Sequence, residues 1–176
     1  MDKLINIFVE DITGEFHVRK LARLVKKSPT TISKRLREFK RRGLILYRKE
    51  MGHSLFKANT ESEEFRQLKI RYNIDKITKS GLINYLEKEL NYPEAIILFG
   101  SFRKGEDIEK SDIDIAVITS IRNAPNLDKF EKILHHEISL FLFSRDKIEK
   151  MKADNKELLN NLVNGIILTG FWELFR

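Results

Sequence analysis

The chain has 176 residues, of which 41% are hydrophobic and 34% charged, and it contains no cysteine. This composition is typical of a folded protein of one domain or two small ones, and it excludes a disordered tail, disulfide bonds and thiolate metal sites. The longest apolar runs, IDIAVI and ISLFLF, fall far short of the roughly 20 residues that span a bilayer, and no signal-peptide pattern is present. We therefore expect a cytoplasmic protein with no membrane partner.

Charge is distributed unevenly along the chain. Residues 1–60 contain 15 Lys and Arg against 6 Asp and Glu, whereas residues 61–176 contain 18 against 20. A basic first third joined to a nearly neutral remainder predicts two domains, the first of which faces a polyanion. We expect a first domain at 1–60, a linker helix at 61–80 and a second domain at 81–176, in a two-domain fold that combines the α+β and α/β classes.

The first part of the chain carries apolar residues at helical spacing. Residues 4–8 predict one helix, and the segment FHVRKLARLVKKS predicts a second. The apolar face of the second helix consists of Val18, Leu21, Ala22, Leu24 and Val25. Because Ser28 is a good N-cap and Pro29 suits the first helical position, we predict a third helix over residues 29–42, ended by Gly43.

Residues 44–58 contain two β-prone runs, LILYRKE and LFKAN, separated by the turn MGHS. Helices followed by a hairpin resemble a winged helix-turn-helix, with residues 29–42 as the recognition helix and 44–58 as the wing. The resemblance implies binding of double-stranded DNA, because hydroxyl groups can reach base edges while Lys and Arg bind the phosphate backbone. The residues expected to contact DNA are Thr30, Thr31, Ser33, Lys34, Arg35, Arg37, Arg41, Arg48 and Lys49. The alternatives are a solvated basic face or a fold used for protein contacts.

The segment 61–80 alternates charged residues with apolar ones at spacings of three to five, which predicts a helix. Such a helix either bridges the two domains or pairs two subunits in a homodimer. Packing on its own chain explains the same pattern equally well.

The remaining chain alternates short apolar runs with helical patterns. The predicted strands are AIILF, IDIAVI, ISLFLF and GIILTG, and the predicted helices include LDKFEKILHH and RDKIEKMKADNKELLNNLV. This alternation predicts a small mixed sheet of about four strands flanked by helices. Function must then be sought at the strand ends.

A Gly-Ser pair ends the first predicted strand. At Gly100 the backbone can approach a ligand closely, and the N–H groups that follow, beginning with Ser101, can bind a phosphate. Arg103 and Lys104 stand nearby as neutralising charges. The turn is therefore a candidate nucleotide-binding element.

Two carboxylates begin the second predicted strand. Asp112 and Asp114 are separated by one residue, so on a strand their side chains project from the same face while Ile113 and Ile115 point into the core. Two parallel carboxylates repel unless a cation sits between them. Oxygen ligands at this spacing suit Mg²⁺, which commonly arrives with a nucleoside triphosphate.

The stretch GSFRKGEDIEKSDIDIAV resembles the signature of the DNA polymerase β-like nucleotidyltransferase superfamily, in the form found in minimal nucleotidyltransferases. The likeness covers roughly residues 81–170 and includes Gly105 and Ser111. It implies that Gly100 and Ser101 hold the triphosphate of ATP or another NTP. It also implies that Asp112 and Asp114 are catalytic ligands of paired divalent metals, Mg²⁺ or Mn²⁺, which stabilise in-line attack on the α-phosphate.

Active members of that superfamily usually add a third carboxylate from a later strand. When the end of HHEISLFLFS is aligned on Ser144, Phe141 occupies the usual position. Glu137 lies earlier on the same strand face and could serve as the catalytic carboxylate only if the strand begins later or shifts its register. The alternative is that Glu137 is an ordinary residue at a helix end or on the surface.

Two functions follow from these expectations. The first is a Mg²⁺-dependent nucleotidyltransferase that moves a nucleoside monophosphate onto a hydroxyl. Family likeness suggests a tyrosine of a partner toxin protein, an RNA end or a small molecule as the acceptor. The second is a DNA-binding transcriptional regulator whose nucleotidyltransferase-like domain senses a nucleotide without turnover.

Overall fold

The computed structural model describes residues 2–50 and 52–175. The chain divides into two compact units, Met1–Tyr72 and Asn73–Arg176. The division falls within the segment predicted as a linker helix. Within residues 2–50 and 52–175, no helix combines the length and the hydropathy of a membrane-spanning segment.

The first unit combines short helices with a small sheet and contains most of a longer helix. Its elements are α1 (Lys3–Glu10), β1 (Phe16–His17), α2 (Val18–Val25), α3 (Pro29–Arg41), β2 (Ile45–Glu50), β3 (His53–Ala58) and the start of α4 (Glu63–Ser80). The sheet has the order β1-β3-β2 with antiparallel neighbours.

Helix α3 begins as the sequence predicts. The Ser28 Oγ accepts a hydrogen bond from the Thr31 N–H at 3.2 Å, and Pro29 occupies the first turn. The helix ends at Arg41, one residue before the predicted boundary. Its apolar residues Ile32, Leu36 and Phe39 are buried in the core of the first unit. Burial of this face fixes which side of α3 is exposed.

Two details of the predicted second helix are wrong. Phe16 and His17 form strand β1, which pairs with Phe56 and Leu55 of β3, so the helix begins only at Val18. Backbone pairing with the hairpin therefore overrides the helical pattern at this point. Leu24, predicted on the apolar face, is 54% exposed. The buried face follows the spacing of residues 18, 21, 22 and 25, which leaves Leu24 beside it.

The predicted linker segment forms one helix, α4, of 18 residues. Phe65 belongs to the core of the first unit, and Ile77 belongs to a core cluster of the second. The buried Lys69 Nζ donates to the Val9 carbonyl oxygen at 2.9 Å. The apolar residues of α4 thus pack within the chain.

The second unit is built around a four-stranded mixed sheet. Its elements after α4 are α5 (Leu82–Glu89), β4 (Ala95–Leu98), α6 (Gly100–Lys104), β5 (Ile113–Ile118), α7 (Asp128–Leu134), β6 (Ile138–Phe143), α8 (Arg145–Asp154), α9 (Lys156–Val163) and β7 (Ile166–Gly170). The strand order is β6-β5-β4-β7. Strands β5 and β6 run parallel, whereas β4 is antiparallel to both β5 and β7.

The single helix predicted over residues 145–163 is interrupted. Asn155 lies between α8 and α9, and its side-chain oxygen accepts from the Leu158 N–H at 3.1 Å. An asparagine that caps a new helix offers the backbone an alternative to continuing the old one. Two helices therefore replace one.

The two faces of strand β5 meet different core clusters. Ile113, Ile115 and Val117 pack into one cluster, while Ala116 and Ile118 pack into another. Because side chains alternate along a strand, Asp114 belongs to the face of Ala116. This face carries the candidate site at its N-terminal end.

Candidate active site

The two aspartates stand at the start of β5. Asp112 is exposed and directly precedes the strand, whereas Asp114 is partly buried within it. Burial and the negative charge of Asp112 together raise the pKa of the Asp114 carboxyl. The two carboxylates are therefore close enough to repel each other.

The Gly-Ser turn lies against this pair. Gly100 has φ +68°, and a Cβ built there would overlap the carboxylate of Asp114. The Phe99 N–H donates to the Asp114 carbonyl oxygen at 3.1 Å, which holds the turn beside β5. Only glycine satisfies both the backbone conformation and the close approach.

Helix α6 presents the neighbouring cations. Ser101 and Arg103 are partly exposed and Lys104 is exposed. The Arg103 Nε is buried and has no hydrogen-bond partner among the described residues. Because buried donors are nearly always paired, the guanidinium group has an unmet capacity for an acceptor.

Strand β6 brings a hydroxyl group to the carboxylates. In the parallel register Asp114 pairs with Ser139, and Ala116 pairs with Phe141. The Ser139 Oγ donates to the Asp112 Oδ2 at 3.4 Å, a long hydrogen bond. Alignment of the strand on Ser144 predicts that residue 141 takes the place of the third carboxylate, whereas the register places Ser139 opposite Asp114.

Phe141 occupies the next position on the same strand face. Its ring lies 5.5 Å from the Phe99 ring and is stacked with the Phe143 ring at 6.3 Å between centroids. The residue is 37% exposed. Phe141 therefore forms the exposed edge of a group of three aromatic rings, and its side chain has no atom that could bind a metal ion.

Glu137 precedes β6, and its carbonyl oxygen accepts from the Ile113 N–H at 2.9 Å. It contributes to a surface depression with Asp128, Glu131, Lys132, His135 and His136. Within residues 2–50 and 52–175, no three His, Asp or Glu side chains come together as a metal site. The role of Glu137 as the third carboxylate thus stays a prediction, because Glu137 forms no such cluster with Asp112 and Asp114.

The predicted DNA-contacting residues of the first unit fall into two groups. Thr30, Lys34, Arg37 and Arg41 are exposed, and their spacing places them on one side of α3. Ser33 is partly buried on the same helix, and Lys49 is exposed on β2.

The other group is engaged within the chain. The Arg35 guanidinium forms ion pairs with Asp2 and Glu38, and Arg48 pairs with Glu15 and Glu50. Hydrogen bonding to Glu15 and Glu50 raises the pKa of Arg48, as hydrogen bonding to Asp2 does for Arg35. The Thr31 hydroxyl lies 2.8 Å from the Ser28 Oγ at the helix cap. Nearby carboxylates thus offset both arginine charges.

A family model described as "Polymerase beta, Nucleotidyltransferase" matches residues 80–170, slightly more than half of the chain. The match contains the Gly-Ser turn, both aspartates and all four strands of the second unit's sheet. Comparison with curated proteins and with solved structures gives no match. The family match and the fold of the second unit agree, and the chain belongs to the polymerase β nucleotidyltransferase family.

Proposed function

We propose that this protein binds a nucleoside triphosphate with a divalent cation and transfers the nucleoside monophosphate to a hydroxyl group of an acceptor. The observation that carries the proposal is the overlap between a Cβ at position 100 and the Asp114 carboxylate, which sets the turn directly beside the aspartate pair. A phosphate held by Gly100 and Ser101 would lie next to the metal-binding carboxylates.

The donor set fits a Mg²⁺ or Mn²⁺ ion. Asp112 and Asp114 supply carboxylate oxygens, and a cation between them relieves the repulsion that helps to raise the pKa of Asp114. Mg²⁺ commonly uses one or two carboxylates together with substrate phosphates and waters. When bound, the cation would offset the charge that develops on the phosphoryl oxygens.

The cations of α6 fit the triphosphate. The partly exposed Arg103 guanidinium and the exposed Lys104 ammonium would supply positive charge to the phosphate oxygens. The test is calorimetric titration with Mg²⁺-loaded ATP, GTP, CTP and UTP, followed by incubation with α-labelled nucleotide and candidate acceptors. Failure of every nucleotide to bind would overturn the proposal.

Gly100→Ala tests the turn. The backbone of residue 100 is in the left-handed conformation, and the added methyl group would overlap the Asp114 carboxylate. We therefore expect loss of nucleotide binding and a destabilisation larger than the roughly 1–2 kcal/mol that a left-handed conformation costs a residue with a side chain. Gly81→Ala is the control, because Gly81 has φ +82° and a Cβ there meets nothing within 4 Å. Thermal unfolding and calorimetry measure both effects. Equal losses in the two variants would contradict a role for the close approach.

A second candidate function is favoured by Ser139. A hydroxyl group rather than a third carboxylate approaches Asp112 from β6. Such a site can bind a nucleotide and its cation yet lack the group that would orient or deprotonate the acceptor. The protein would then be a nucleotide-sensing regulator. Tight binding of Mg²⁺-ATP without label transfer to protein, RNA or DNA acceptors would favour this function over catalysis.

We further propose that the first unit is a winged helix-turn-helix that binds double-stranded DNA. The support is its order of helices and hairpin together with the exposed basic side of α3. This unit could recruit the nucleotidyltransferase to nucleic acid or, in the regulatory alternative, to an operator. A partner toxin protein and an RNA end remain proposed acceptors that label transfer would separate.

Lys34→Ala and Arg37→Ala test the DNA interface. We expect each to weaken duplex binding and to lower the salt slope by about one, as for loss of one phosphate contact. Arg35→Ala should have a smaller effect, because Asp2 and Glu38 already offset that charge. Fluorescence anisotropy with a labelled duplex over a salt series measures these changes. Absence of binding at low salt in the unaltered protein would refute DNA binding.

A further inference from the structure

The segment between the Gly-Ser turn and Asp112 is held by a buried amide from another helix. The Asn73 Nδ2 donates to the Phe102 carbonyl oxygen at 3.1 Å and to the Asp107 Oδ1 at 2.6 Å. Asn73 is 2% exposed and Asp107 is 5% exposed. One side chain of α4 thus ties α6 to the loop that follows it.

A second residue holds the other end of the same loop. The carbonyl oxygen of Ser111 can only accept, so the His136 Nδ1 donates to it, at 2.8 Å. The His136 ring also meets the Phe102 ring edge-on, with centroids 4.9 Å apart. Ser111 directly precedes Asp112, and its hydroxyl accepts from the Ile108 N–H at 3.0 Å.

These contacts link the two halves of the candidate site. Phe102 follows Ser101, and Ser111 precedes Asp112, so the loop 105–111 joins the phosphate turn to the carboxylates and is restrained near both ends by Asn73 and His136. A loop fixed before the ligand arrives loses less conformational freedom on binding. Side chains that hold it therefore act on ligand affinity without touching the ligand.

We propose that Asn73 is a positioning residue for the nucleotide site, with His136 as its counterpart at the other end of the loop. This inference rests on the proposed nucleotide binding. Asn73 lies before the segment that the family model matches, at the first position of the second unit. In this chain the segment that carries the family motif is therefore hydrogen-bonded by Asn73, a residue that lies outside the family match.

The experiment uses the full chain with Asn73→Ala and, as a control in the same unit, Tyr85→Phe. The control removes a side-chain hydrogen bond to a backbone carbonyl, that of the Tyr85 hydroxyl to Asn126 at 3.0 Å. We expect Asn73→Ala to raise the Kd for Mg²⁺-ATP and for Mg²⁺-tripolyphosphate about tenfold, the lower range for supporting residues of metal sites. Amide hydrogen exchange of residues 105–111 should accelerate in the absence of ligand. Tyr85→Phe should change neither.

His136 provides an independent variant should Asn73→Ala fold poorly. His136→Leu removes the donor to Ser111, whereas His136→Asn can keep a donor near the place of Nδ1. We expect weakened binding in the first and recovery in the second. Unchanged exchange and affinity in Asn73→Ala, or equal changes in Tyr85→Phe, would overturn the inference. If the unaltered protein binds neither ligand, the proposed function fails, and the exchange measurement alone decides whether Asn73 holds the loop.

Discussion

Asp112→Asn and Asp114→Asn will each reduce transfer of label from α-labelled nucleotide by about a hundredfold or more, the upper range of losses around metal sites. Each change removes a carboxylate charge from the proposed cation site while keeping the side-chain shape. Asp146→Asn is the control, because Asp146 is an exposed residue of α8 that borders a different pocket of about 410 Å³. Single-turnover assays with excess enzyme measure the rates. Transfer that survives both changes would remove the aspartates from catalysis.

The same substitutions separate function from stability. The burial of Asp114 and the negative charge of Asp112 raise the pKa of Asp114 in the folded protein. The folded state therefore binds a proton at Asp114 more tightly than the unfolded chain does. The free energy of unfolding therefore falls as the pH rises from the ordinary carboxyl range through the raised pKa, and the loss is complete above it. Asp114→Asn removes this penalty.

We expect Asp114→Asn to raise the midpoint of thermal unfolding at neutral pH in the absence of divalent cations. The gain should shrink below the ordinary carboxyl pKa, where Asp114 is protonated in both states. Mg²⁺ should stabilise the unaltered protein more than the variant, because the ion replaces the repulsion with attraction. A variant less stable than the unaltered protein at neutral pH would show that the carboxylate is held by contacts stronger than its repulsion from Asp112.

Much of the fold can be predicted from short sequence patterns. The cap at Ser28 and Pro29 marks the start of α3, and the apolar runs mark all four strands of the second sheet. The break at Asn155 and the strand at Phe16 were missed, because each depends on a hydrogen bond that competes with a longer helical pattern. Local pattern alone does not decide such competition.

Some residues of the candidate site can likewise be predicted from the sequence, and others cannot. Gly100, Ser101, Asp112 and Asp114 can be proposed as site residues from the sequence because the motif fixes their spacing along one segment. Ser139, Asn73 and His136 could not, because register and side-chain direction determine which residues of other elements reach that segment. Alternation along β6 would place residues 139 and 141 on one face, but only its pairing with β5 chooses between them.

Ser139→Asp will increase nucleotidyl transfer, since it adds a carboxylate at the position that already contacts Asp112. Phe141→Asp is the matched control. It adds the same group one pair further along β6, opposite Ala116, and it removes the ring contacts with Phe99 and Phe143. Rates with Mg²⁺ and Mn²⁺ should rise in the first variant only. A larger increase in the second would mean that the strands shift register when the nucleotide and metal bind.

The outcome also decides between the two proposed functions. Suppose that the unaltered protein binds Mg²⁺-ATP without transferring the nucleotidyl group and that Ser139→Asp does transfer it. The absence of a carboxylate at residue 139 is then the reason that the unaltered site binds the nucleotide without catalysis. If the unaltered protein transfers already and Glu137→Gln abolishes the activity, then Glu137 reaches the aspartates in the loaded site. A third carboxylate at residue 139 adds repulsion to the pair that already raises the pKa of Asp114. Ser139→Asp should therefore depend on a divalent cation for stability more strongly than the unaltered protein does.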